Sequence, residues 1–169
     1  MTETLTPSRL WRHMTLDQRQ RAANAFWADP EATDDQLQAA LLIAQQKKFR
    51  PKTVVNLDLD RKARHLATIV SLPENVAARA LVIYHLAEQR PMMAAFLDAL
   101  GIEHDNGLIK EDGAKPEAAK MPAAVETLRG QFPADDVQLY LHTLLSQDPE
   151  TWSALEGIVE GEPQQGHQK

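Results

Sequence analysis

Prolines punctuate this chain, and the apolar residues between them recur three and four positions apart rather than two. There are ten prolines and only seven glycines. Proline is accepted in the first turn of a helix or just beyond its end, but not in its interior. This spacing therefore cuts the chain into short amphipathic helices joined by tight junctions. It leaves little room for a sheet.

The junctions carry start and stop signals. Thr6-Pro7 opens a short turn. Thr15 with Gln18 forms a capping box ahead of Leu16, Ala23, Phe26 and Trp27, and Asp29-Pro30 stops that helix. Thr33 with Gln36 reads as a second box, opening a helix with the face Leu37, Ala40, Leu41 and Ala44. The segment from Thr53 alternates briefly, but Leu59, Ala63, Leu66, Ala67 and Val70 continue at helical spacing, so a helix is expected from about Asp58. Asp58 and Asp60 then match the positive end of its dipole. Ser71-Leu72-Pro73-Glu74 starts the next helix. From Val76 to Ala87 its clearly polar side chains are Arg79 and His85, the pattern of a centrally buried helix. His85 is expected as a core histidine, and Arg79 as the partner of Glu74 or of a carboxylate on a neighbouring helix.

After Arg90-Pro91 come Met92, Met93, Phe96, Leu97 and Leu100, with a Schellman stop at Gly101-Ile102. Residues 103 to 116, containing Asn106-Gly107 and Asp112-Gly113, read as a loop. Pro116 to Arg129 reads as helical with a kink or restart at Met121-Pro122. Asp135 is placed to cap a helix with the face Val137, Tyr140, Leu141, Leu144 and Leu145. The last helix carries Trp152, Leu155 and Val159. Shifting the chain by 58 lays Leu81, Leu86, Gln89, Pro91 and Leu97 on Leu139, Leu144, Gln147, Pro149 and Leu155, a faint echo of a helix ending in Gln-x-Pro with a second following at once. These readings predict an all-α fold: a single-domain bundle of about six to eight helices over 1–161, arranged as antiparallel hairpins or as a short irregular α-solenoid, with a flexible polar tail at 162–169.

At 169 residues and 43% hydrophobic the chain suits one folded domain. The absence of cysteine excludes disulfides, thiolate nucleophiles and Cys-bearing metal sites. The first ten residues show no signal-peptide pattern, and the longest apolar stretch is too short for a membrane span. A cytoplasmic protein without a membrane partner is expected.

Three features bear on function. Met1 to Leu66 holds 11 Lys+Arg against 8 Asp+Glu, while Ala67 to Lys169 holds 7 against 16. Within the basic part, Lys47, Lys48, Arg50, Lys52, Arg61, Lys62 and Arg64 gather around Phe49, a composition suited to nucleic acid or another anionic partner. The competing expectation is a solvated basic corner that pairs with the protein's own acidic helices, and the asymmetry also suits head-to-tail self-association. Second, His104-Asp105, with His65 or His85 upstream and Asp135, Asp136 or Asp148 downstream, resembles the ligand order of metal-dependent phosphohydrolases of the HD type, although that dipeptide belongs on a helix and this one lies in a predicted turn. Third, Met92, Met93, Phe96, Leu97 and Trp152 suit either core packing or a groove for a partner helix.

No Glu-x-x-His, His-Glu-x-x-His, phosphate loop or nucleophile elbow occurs in the chain. The expectation is a non-enzymatic helical interaction or scaffold protein that binds another protein or itself. It calls for no cofactor and no metal. Anion binding through 47–64 is the alternative, and HD-type hydrolysis a second one.

Overall fold

A computed structural model describes residues 5–110 and 115–159. The fold is all-α, with 72% of the described residues helical. Ten α-helices occur among them, and those beyond the expected six to eight are short pieces of five to seven residues. The chain forms two compact units, Thr6–Glu88 and a second beginning at Gln89.

The first unit contains α1 (Pro7–His13), α2 (Leu16–Ala28), α3 (Thr33–Lys47), α4 (Pro51–Val55), α5 (Leu59–Thr68) and α6 (Glu74–Glu88). Its helix starts are built locally. Thr6 Oγ1 accepts from Arg9 N with Pro7 in the first turn, the Thr15–Gln18 capping box forms in both directions, and Asp58 Oδ1 accepts from Arg61 N. Helix α2 packs against α5 and α6, α1 packs against α6, and α3 packs against α4 and α6. Trp11, Phe26, Ile43, Leu66, Leu81 and Tyr84 fill the core between them. As its composition predicts, α6 is buried on several sides at once.

The link between α5 and α6 has no helical partner for its carbonyls, so side chains from α1 and α2 supply donors. Trp11 Nε1 donates to Ile69 O at 2.7 Å, Arg19 Nε to Ala67 O at 2.8 Å, and Ser8 Oγ to Leu72 O at 2.8 Å. These bonds hold the C-terminal end of α5 in place. Arg79 reaches the neighbouring helix, pairing with Asp35 of α3 at 3.1 Å, while Glu74 accepts from Ser8 N. His85 is buried, and its Nδ1 donates to Leu81 O at 2.9 Å.

The second unit contains α7 (Arg90–Leu100), a hairpin of β1 (His104–Asp105) and β2 (Leu108–Ile109), a 3-10 turn at Ala118–Lys120, α8 (Met121–Gln131), α9 (Ala134–Gln147) and α10 (Leu155–Val159). Helix α7 packs against α8 and the hairpin, and α9 against α8 and α10. Gly101 takes φ 74°, and Ile102 N donates to Leu97 O, which completes the Schellman stop. The Phe96 ring meets Tyr140 edge-on at 5.7 Å and lies 5.9 Å from Trp152. Met92, Met93, Leu97 and Trp152 are buried with it, so the apolar supply after Pro91 and Pro149 is core.

Several local expectations are corrected. The turn at Thr6-Pro7 is the start of a full helix, and Pro51 opens a short helix, α4, that the alternating pattern concealed. Thr33 does not cap α3: Ala32 holds that position without a side-chain bond, and Gln36 Nε2 instead donates to Phe26 O and Asp29 O at the end of α2. Orphan carbonyls of a packed neighbour outcompete a local box. Pro133, not Asp135, precedes α9; at Met121-Pro122, of the two expected outcomes, the structure shows the restart, with Pro122 in the first turn of α8. The loop from residue 103 contains the two-stranded hairpin, with Asn106 and Gly107 both at positive φ in its turn. Asp148 to Ala154 forms turns before α10, so the second copy of the 58-residue echo lacks an immediately following helix. Asp112-Gly113 and the tail 162–169 lie outside the described residues.

Candidate anion-binding site

The last turn of α3 and the outer face of α5 enclose an open groove of about 430 Å³ lined by Lys47, Arg61, Arg64, His65 and Thr68. Its construction begins with backbone geometry. Helix α3 ends at Lys48 in the left-handed conformation (φ 62°), and Phe49 N donates back to Ala44 O at 2.9 Å. This reversal brings the Phe49 ring against His65 of α5, edge-on at 5.3 Å. On α5, residues 61, 64, 65 and 68 follow one another at helical spacing along a single face.

Within the groove Lys47 Nζ donates to Thr68 Oγ1 at 3.2 Å, and the Thr68 hydroxyl donates to His65 O at 2.8 Å. Arg64 pairs with Asp60, one turn earlier, at 2.9 Å. Partial burial, followed by the charges of Lys47, Arg64 and Arg61, holds the His65 imidazole below its ordinary pKa of 6.5.

The eight residues singled out from the sequence separate in space. Lys47, Arg61 and Arg64 line the groove and Phe49 flanks it. Lys62 turns away, its ammonium 5.0 Å over the Trp27 ring and 3.4 Å from Val55 O. Lys48, Arg50 and Lys52 are exposed around the α3–α4 reversal and are not among the lining residues. Among the described residues, Arg64 alone of the seven cations has a carboxylate within ion-pair distance. Thr68 was missed as a site residue and His65 entered only as a candidate ligand of the HD pattern, although their spacing from Arg61 and Arg64 placed them on the same stripe.

The His104-Asp105 dipeptide lies on the hairpin, not on a helix. His104 Nδ1 accepts from Gly107 N at 3.1 Å, so Nε2 carries the proton and donates to Asp98 Oδ1 at 2.7 Å. Both ring nitrogens are thereby engaged in holding the turn. No group of three or more His, Asp or Glu side chains among the described residues is placed to hold a metal ion. No helix among the described residues is long and apolar enough to cross a membrane. Comparison with protein-family models, curated proteins and solved structures finds no match to this chain.

Proposed function

We propose that this protein is a non-enzymatic helical interaction module that binds an anionic partner in the groove between α3 and α5. The observation that carries this reading is the convergence of Lys47, Arg61 and Arg64, from two separate helices, on one depression that no carboxylate lines among the described residues. Lys47 bonds only a neutral hydroxyl and Arg61 has no carboxylate within ion-pair distance among the described residues, so both keep their attraction for an external anion, while Arg64 shares its charge with Asp60.

The test is binding of a labelled single-stranded oligonucleotide and of polyglutamate by the full chain at several salt concentrations. Three cationic contacts predict a log-log salt slope of about −2 on the oligonucleotide. Lys47→Gln/Arg61→Gln/Arg64→Gln should abolish binding, while Lys48→Gln/Lys52→Gln, outside the groove, should change it little. Equal binding by the two variants overturns the assignment.

A second reading is self-association. The unit Thr6–Glu88 carries 12 Lys+Arg against 9 Asp+Glu, and residues 89–169 carry 6 against 14. A second copy is thus itself an anionic partner, and sedimentation of the full chain at low and high salt would show it as a salt-sensitive oligomer.

A further inference from the structure

We propose that the groove between α3 and α5 is a phosphomonoester site, an assignment that rests on the anion-binding function above and names the chemistry it selects. The side chains that line the groove are rich in donors: the Lys47 ammonium, the Arg61 and Arg64 guanidinium groups and the single N–H of a neutral His65 imidazole. Thr68 is a positioning residue. Its oxygen takes one Lys47 N–H and its proton goes to the helix carbonyl of His65, so it orients the ammonium and leaves the other two N–H groups for a ligand. Arg64 commits one edge to Asp60, and among the described residues the Arg61 guanidinium has no carboxylate within ion-pair distance.

Donor number and charge decide among anions. A carboxylate offers two oxygens and one charge, as does the backbone phosphodiester of a nucleic acid. A phosphomonoester offers three terminal oxygens and a charge of about −1.5 to −2 at neutral pH. Three cations, one of them shared with Asp60, oppose that charge, and guanidinium forks match its geometry. The imidazole is held below its ordinary pKa by partial burial and then by its cationic neighbours, and a bound dianion opposes that second effect, favouring the protonated ring. The volume of the groove exceeds that of a phosphate group and accommodates part of the molecule it is attached to, beside the half-exposed Phe49 ring. The same group is carried by the 5′ end of a nucleic-acid strand and by a phosphorylated small molecule.

The experiment compares, at one ionic strength, the affinity of the full chain for an oligonucleotide with a 5′-phosphate and for its 5′-hydroxyl twin, with inorganic phosphate and AMP as competitors. The 5′-phosphate should bind about tenfold tighter, the size expected of added charge-assisted hydrogen bonds. Inorganic phosphate should erase that difference and shift the His65 ring resonances. Arg61→Lys, which keeps the charge and loses the fork, should lose the preference while still binding the hydroxyl twin. AMP binding as tightly as the phosphorylated strand supports the site with a small-molecule source; a strand preferred tenfold over AMP supports it with a strand terminus. Equal affinity for the two oligonucleotides, with binding still salt-dependent and lost in Lys47→Gln/Arg61→Gln/Arg64→Gln, overturns the phosphomonoester assignment and leaves the anion-binding function standing. Failure to bind any anion overturns both.

Discussion

The His65 imidazole receives the edge of the Phe49 ring, centroids 5.3 Å apart and planes at 81°. The two residues belong to different segments, and what joins them is the left-handed Lys48 that turns the chain back onto α5. One backbone conformation therefore sets the wall of the groove. It also sets the field that the imidazole feels, because Lys47 is adjacent.

Partial burial of His65, and after it that field, makes stability depend on pH with a definite sign. The folded pKa of His65 lies below the unfolded value of 6.5, so the unfolded chain takes up the proton first as the pH falls. The contribution of this group is level above about pH 6.5 and declines below it, until the folded imidazole titrates as well. Urea midpoints of His65→Gln should fall less than those of the parent between about pH 7 and pH 5. Lys47→Gln, which removes one of the repelling charges, should bring the NMR titration midpoint of His65 closer to 6.5.

Lys48 occupies a position where glycine is favoured, with φ 62°. Lys48→Gly should stabilise the protein by about 0.5–1 kcal/mol, because relief of the left-handed strain exceeds the added freedom of the unfolded chain. Thermal denaturation checks the sign. Anion affinity should be almost unchanged, since Lys48 does not line the groove.

Gly107 presents the opposite case. At φ 93° a Cβ would lie 2.9 Å from Met93 Cβ and 3.3 Å from Arg90 O, so the hairpin turn closes directly on α7. Gly107→Ala should cost about 1–3 kcal/mol, and the bond from Gly107 N to His104 Nδ1 should be lost with it. Urea denaturation measures the first effect. Loss of the cross-strand contact between His104 and Ile109 in NMR spectra marks the second.

Trp11 is fully buried, and its indole N–H provides the hydrogen bond to Ile69 O in the link after α5. Trp11→Phe keeps an aromatic core residue but leaves that carbonyl without its donor, at a cost of about 1–3 kcal/mol. Hydrogen exchange should rise first in the amides following Thr68. Unchanged exchange there would show that the link does not depend on this bond.

Much of the fold was legible because its signals are local. Proline positions, the Thr15–Gln18 box, the helix start near Asp58, the Gly101 stop and the apolar circumference of α6 depend on residues within one or two turns of each other, so the chain itself determines them. The all-α class follows. What only the tertiary structure decided is where side chains go when two partners compete. Gln36 leaves its own helix start for the carbonyls of α2, Lys62 leaves the basic cluster for the Trp27 face, and Arg79 chooses Asp35 over Glu74. The groove is of this second kind. The charges of residues 47–64 were visible as a cluster, but the docking of the α3 end beside α5 sorted them into lining and non-lining residues and added His65 and Thr68. Helix formation is set by neighbours in sequence, whereas the direction in which a long cation extends is set by whichever carbonyl, ring or carboxylate packing brings within reach.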